Sequence, residues 1–175
     1  MKEDKKLDVL IIMGSKSDEE VSKNTIYLLK YFKVSYEVHI ASAHRTPGKV
    51  EEVIEDAENL GCKVIIAIAG MSAALPGVIA SKTLLPVIGV PVPGNSLGHG
   101  VDALLSIVQM PRGVPVGCMS QGNSGGFNAA MYAVQILALN DFELKVHLNL
   151  WRTFQSMDID RDDREIFEKY AKEKI

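Results

Sequence analysis

Two short polar segments of this chain gather side chains of the kind that handle anions and protons. Ser42-Ala43-His44-Arg45-Thr46 sets a hydroxyl, an imidazole and a guanidinium within five positions. An imidazole titrates near neutral pH and can take up a proton and return it. A guanidinium is a planar fork of donors that suits a phosphate. Gly14-Ser15-Lys16-Ser17-Asp18 adds two hydroxyls and a carboxylate, and its backbone N–H groups would face an anion at a helix start. Its spacing is neither that of a P-loop nor that of a dinucleotide fingerprint. Each segment also has a simpler account. Gly-Ser-x-Ser-Asp makes a tight turn with an N-cap. Ser42 and Thr46 can cap the coming helix, with His44 a partly exposed loop residue. On residue types alone that simpler account is preferred.

The remaining histidines are less pointed. His39 falls inside a β-like run and His147 on a polar stretch of the tail, where structural or solvent-facing roles suffice. His99, in Leu97-Gly98-His99-Gly100, stays open. No pair of histidines or carboxylates has metal-ligand spacing, so no metal site is expected.

Positioning these loops requires a frame, and the apolar pattern supplies one. Leu7–Met13 is a continuous apolar run ending at Gly14, as expected of a strand covered on both faces. Val21, Thr25, Leu28, Leu29 and Phe32 then recur at helical spacing. A β-rich run over Ser35–Ser42 precedes a second amphipathic helix marked by Val50, Val53, Ile54, Ala57 and Leu60. Thr46-Pro47 is its expected N-cap and first position, and Gly61 its stop. Strands are expected again at Lys63–Ala69, Pro86–Val92 and Gly113–Met119. Helical runs fall at 72–83, 101–110 and 126–139. This alternation implies a parallel sheet with right-handed crossovers and helices on both faces. Ligands of such sheets collect where loops leave the carboxyl ends of the strands. The polar loops after the first and second runs, and the small-residue loop after the third, lie there. Phe142, Val146, Leu150 and Phe154 form an i,i+4 stripe on a sixth helix. After Asp158–Asp163 a last segment opens with acids and closes with lysines.

At 175 residues the chain is read as one domain over 1–175, a core of about 7–139 and a C-terminal helical arm of about 140–175. A net charge of −3 without a basic stripe argues against a nucleic-acid footprint. Cys62 and Cys118, far apart, read as core residues of a reduced, cytoplasmic chain. From Val64 to Val101 the one formal charge is Lys82, which raises the question of a membrane span. Pro76, Pro86, Pro91 and Pro93, with Gly70, Gly77, Gly89 and Gly94, cut that stretch into short pieces, and a membrane segment is excluded. A stretch so poor in charge suggests surface buried against other copies of the chain.

Taken together and in order, Met13–Asp18, Ser42–Pro47, Leu75–Val92, Ser106–Gly117 and Asn128–Ala138 resemble the PurE family of 5-(carboxyamino)imidazole ribonucleotide mutases, over roughly residues 8 to 155. The resemblance reverses the preference at His44. It implies a three-layer α/β/α sandwich with a parallel, flavodoxin-like or Rossmann-like sheet plus C-terminal helices, assembled as a homo-octamer without a cofactor. It also implies an imidazole ribonucleotide substrate of purine biosynthesis, whose carboxylate moves from the exocyclic nitrogen to a ring carbon through released and recaptured carbon dioxide. By the same resemblance His44 would be the general acid/base. Ser15, Ser17, Ser42 and Arg45 would hold phosphate and polar groups, and Asp18 the ribose hydroxyls. Ser72, Ala73 and Leu75 would line the substrate site.

One loop departs from the family. The mutases carry Gly-Gly-Ala-Ala-His-Leu-Pro-Gly after the third strand, and the histidine position here is Ala74, in Gly70-Met71-Ser72-Ala73-Ala74-Leu75-Pro76-Gly77. A sister branch that carboxylates aminoimidazole ribonucleotide with free carbon dioxide also has serine and alanine in this loop. That branch, however, has lysine after the active-site histidine and lacks the following proline, whereas this chain has Arg45 and Pro47. The mutase is therefore the expectation. A direct carboxylase or a non-catalytic ribonucleotide-binding homologue is the alternative.

Overall fold

The computed structural model describes residues 6–94 and 97–171. The chain divides into two compact units, Met1–Leu137 and Ala138–Ile175. The first unit is built on five parallel strands in the spatial order β2-β1-β3-β4-β5. β1 (Val9–Met13), β3 (Val64–Gly70) and β4 (Val87–Val92) are buried over almost their whole length. That is why the sequence shows unbroken apolar runs there instead of alternation. β2 (Tyr36–Ile40) lies at one edge and is half-exposed, and β5 (Gly117–Cys118) lies at the other.

Helices cover both faces, as the alternation requires. α2 (Pro47–Asn59), α3 (Leu75–Ala80) and α4 (Val101–Val108) bury Val50, Ile54, Leu75, Ile79, Ala103 and Ile107 in one core with Leu10, Ile12, Ile65 and Ala67. Ile11, Ile66 and Ile68 alternate with that set along their strands and are also fully buried, on the other face. α1 (Glu19–Tyr31) packs against α5 (Gly122–Leu137), which in turn packs on β3 and β4. The result is the expected three-layer α/β/α arrangement with a flavodoxin-like strand order.

Several boundaries differ from the sequence reading. The fifth strand shrinks from the expected 113–119 to two residues, because Pro115 lacks the N–H that a longer ladder would need. α5 starts at Gly122, four residues before the expected 126, through a glycine-rich turn that propensity alone disfavours. The tail is one helix, α6 (Phe142–Ala171), where two segments were expected. No glycine or proline interrupts it. Arg161 bridges Asp158 at 3.0 Å and Asp162 at 3.4 Å, which offsets part of the acidic run within the helix, and Arg164 donates to the Asp160 carbonyl at 3.1 Å. Among the described residues, no helix is long and apolar enough to cross a membrane.

The approach of α1 to α5 decides where the first loop sits, since α1 begins immediately after it. Thr25, wholly buried, donates its hydroxyl to the Gly126 carbonyl at 2.9 Å. A Cβ on Gly126 would stand 2.5 Å from the Val21 carbonyl oxygen, closer than any real contact. Gly126→Ala should therefore cost about 2 kcal/mol by forcing the helices apart. The check is a lowered thermal melting midpoint; an unchanged midpoint would show that this contact is not tight.

Candidate active site

The strand register brings the loops together. Met13 pairs with Ile40 on one side and Ile68 on the other, and Gly70 pairs with Val92. Four chain segments therefore leave the sheet at one edge, around the point between β1 and β3 where the strand order reverses. There they enclose a cavity of about 650 Å³. All nine residues singled out from the sequence line it: Ser15, Ser17, Asp18, Ser42, His44, Arg45, Ser72, Ala73 and Leu75. His99, in the Leu97–Gly100 turn, does not line it; His39 pairs with Glu37 at 3.4 Å, and His147 lies on α6.

The first loop is organised by a buried carboxylate. Ser15 caps a single turn of 3-10 helix, Lys16–Asp18, which runs directly into α1. Asp18 Oδ2 accepts the Ser15 N–H at 2.9 Å and Oδ1 accepts the Ser17 hydroxyl at 3.2 Å. The Gly14 N–H is held by the Ile68 carbonyl at 3.0 Å, and the Ser17 N–H reaches the Ser15 Oγ at 3.4 Å. This agrees with the simpler account of the segment as a tight turn with an N-cap: the N–H groups of Gly14, Ser15 and Ser17 already have partners within the protein. The reciprocal bonds between Ser15 and Asp18 form a capping box, a signal present in the sequence at the right spacing. Burial pushes the Asp18 carboxyl above its usual range, and the bonds from Ser17, Ser15 and Gly14 partly offset that.

The second loop leaves its imidazole and guanidinium outward. His44 and Arg45 are exposed on the cavity wall, while Ser42 is half-buried. Ser42 Oγ accepts the Arg45 N–H at 3.3 Å and lies 3.5 Å from Arg45 Nε, which ties the guanidinium to the loop. Thr46 is the N-cap of α2 and Pro47 its first residue, as expected, but the Thr46 side chain makes no capping bond to the helix. Its hydroxyl instead accepts the Ser42 N–H at 2.9 Å and donates back to the Ser42 carbonyl at 3.3 Å. The hydroxyl thus braces the turn that carries His44 rather than the helix that follows.

The third loop forms an apolar wall. A tight turn, closed by the Ala73 N–H on the Gly70 carbonyl at 3.1 Å, holds Met71 at φ 56°. A left-handed backbone costs a side-chain-bearing residue about 1–2 kcal/mol. Ala73 and Leu75 are buried, and Ala74 lines the cavity beside them. The sequence reading missed Ala43, Met71, Val92, Pro93 and Gly94, which also line it. The Pro-Val-Pro-Gly run was the one signal for the last three, since such punctuation marks a loop at a strand's carboxyl end. A polar wall with a guanidinium, an imidazole and a buried carboxylate thus faces a wall of small apolar side chains. That arrangement can grip an anionic ligand at one end and set apolar surface against it at the other.

The model of the AIR carboxylase family matches residues 8–157. The chain is 50% identical over 151 residues to the N5-carboxyaminoimidazole ribonucleotide mutase of Escherichia coli K12, covering 86% of this chain and 89% of that one. It is 53% identical over 134 residues to the Bacillus subtilis protein of the same name, covering 77% and 82%. The crystal structure of Treponema denticola PurE superposes with a TM-score of 0.82 at 31% identity, covering 90% of this chain and 96% of that one.

The Asp18 carboxyl gives a prediction with a definite sign. Its pKa is raised above 3.8 in the native state by burial, so native protein binds the proton more tightly than unfolded chain. Stability conferred by the protonated form is present below 3.8 and lost as pH rises through the native value. Asp18→Asn carries no such titration. The wild type should therefore lose stability relative to Asp18→Asn as pH rises above 3.8, levelling off toward neutrality, in urea melts run across that range. A difference that grows in the opposite direction would mean that the hydrogen bonds, not burial, dominate.

Proposed function

Because the chain belongs to the AIR carboxylase family, we propose that it is an N5-carboxyaminoimidazole ribonucleotide mutase of purine biosynthesis. It is an isomerase that converts the 5-carboxyamino ribonucleotide to 4-carboxy-5-aminoimidazole ribonucleotide. The observation that carries this reading is the identity of about half the residues with named mutases along most of both chains. The gathering of His44, Arg45, Ser42 and Asp18 around one cavity supports it chemically.

In the proposed mechanism Arg45 grips the phosphate through its fork of donors, with the hydroxyls of Ser15, Ser17 and Ser42 beside it. The Asp18 carboxylate accepts from the ribose hydroxyls. Ser72, Ala73 and Leu75 form the wall against the imidazole ring. The carbamate C–N bond breaks, carbon dioxide leaves, and the exocyclic nitrogen keeps the electron pair and gains a proton. Ring carbon 4 then attacks the carbon dioxide, forms the new C–C bond and gives up its proton. One imidazole can serve both events, His44 delivering the first proton and accepting the second, so that no proton is gained or lost overall. The small apolar wall suits carbon dioxide, which must not escape to water between the steps.

The same reading extends to assembly and location. Val101, Leu105 and Val108 are exposed along one face of α4, and Leu84 is fully exposed. Apolar surface of this kind supports self-association. The family resemblance supports eight copies, and a biosynthetic enzyme with free cysteines suits the cytoplasm.

A direct carboxylase is favoured by one feature, Ala74 beside Ser72 in the third loop. Purified protein assayed separately with each substrate distinguishes the two. Turnover of the carboxyamino ribonucleotide is expected; turnover only of aminoimidazole ribonucleotide with carbon dioxide would overturn the mutase. His44→Asn should lower turnover about a thousand-fold while ribonucleotide binding, followed by calorimetry, persists. Near-normal turnover in that variant would remove His44 from the chemistry.

A further inference from the structure

Met71 combines features that no packing role accounts for. It occupies the first central position of the tight turn between Gly70 and Ala73, with a left-handed backbone at φ 56°. Glycine, asparagine or aspartate ordinarily takes such a position. Its side chain is 71% exposed, so burial offsets none of the strain. Two other described residues with side chains share this backbone conformation, and their surroundings differ. Lys33 follows the end of α1, where a left-handed residue closes the helix and the Val34 N–H bonds back to the Leu29 carbonyl. His99 lies between the left-handed Gly98 and Gly100. Met71 alone of the three lines the cavity. Strain kept at the rim of a site is a pointer to function.

The side-chain chemistry says which function. Ala43, Ala73 and Ala74, which share the cavity lining with it, are too short to reach across a ligand. Methionine is unbranched, apolar and flexible, and its thioether lies well against aromatic faces. Resting on the mutase reading above, we propose that Met71 is the closing side chain of the site. It folds over the bound imidazole ribonucleotide and seals the mouth while carbon dioxide is free. Met71 lies in the cavity lining and is largely exposed, which leaves the thioether able to swing.

Two measurements on the full-length protein test this. The first is oxidation by dilute hydrogen peroxide, read as methionine sulfoxide by peptide mass spectrometry. Saturating aminoimidazole ribonucleotide should slow oxidation of Met71 about five-fold while leaving Met157, 57% exposed on α6, unchanged as an internal reference. The second uses carboxyamino ribonucleotide labelled in its carbamate carbon. Met71→Ala and Met71→Gly should each release about three-fold more labelled carbon dioxide to solvent per product formed, and Met71→Leu should stay near wild type. Met71→Gly relieves the backbone strain and should melt no lower than wild type, which separates closure from folding. Equal oxidation with and without ribonucleotide, or unchanged label release in both shortened variants, overturns the proposal. Wild-type protein that protects Met71 yet turns over neither imidazole substrate would support closure and defeat the mutase reading. Wild-type turnover with Met71 still freely oxidised would defeat closure alone.

Discussion

The parallel register of β1 with both of its neighbours is the constraint on which the site depends. Met13 sits level with Ile40 and Ile68, so the chain leaves three adjacent strands at one height. With Ile12 and Ile65 on one face and Ile11 and Ile66 on the other, all fully buried, a slip of one residue would exchange side chains between two close-packed layers. Packing against the helices on both faces thus fixes the register, and the register fixes the relative positions of the loops. That is how a largely aliphatic core aligns a carboxylate, an imidazole and a guanidinium.

Once aligned, the loops hold their polar groups by different means. The first is closed upon Asp18, whose buried carboxyl draws in the N–H of Ser15 and the hydroxyl of Ser17. Its rigidity comes at the expense of the backbone donors that an anion might otherwise have used. The second is braced by Thr46 and leaves His44 and Arg45 exposed. In the proposed function, positive charge for a phosphate therefore comes from a side chain instead of from a helix end, in keeping with a chain whose overall charge is −3. In the proposed chemistry this division is apt, because a guanidinium can adjust to its ligand while the carboxylate and the strand ends stay fixed.

Packing remote from the cavity has a part in this. α1 follows Asp18 without a break, and its distance from α5 is set where Gly126 meets Val21 and Thr25. A glycine in the middle of a helix is unfavourable by propensity. Here it permits a backbone approach that any side chain would block, and the approach anchors the helix whose first turn carries the capping box. The same logic in reverse holds at Met71, where a residue with a side chain occupies a backbone position suited to glycine.

Much of this was legible in the sequence. Unbroken apolar runs marked strands buried on two faces, helical spacing marked the covering helices, and their alternation implied parallel pairing. Ser-His-Arg and Ser-x-Ser-Asp named the groups that could do chemistry, because charge and titration belong to residue types. What the linear pattern could not carry was which donors remain free. Thr46 is the N-cap the sequence marks, yet only the fold shows its hydroxyl bonded to Ser42, and the Gly14–Asp18 segment could be a capped turn or an anion cradle until Ile68 and Asp18 are seen to occupy its N–H groups. The Val92–Gly94 stretch and Met71 likewise joined the cavity only through tertiary structure. Composition and periodicity determine which surfaces must be buried, since burial depends on residue type and spacing alone. Whether a hydrogen-bonding group is already satisfied depends on atoms distant in the chain, and only the folded register brings those within reach.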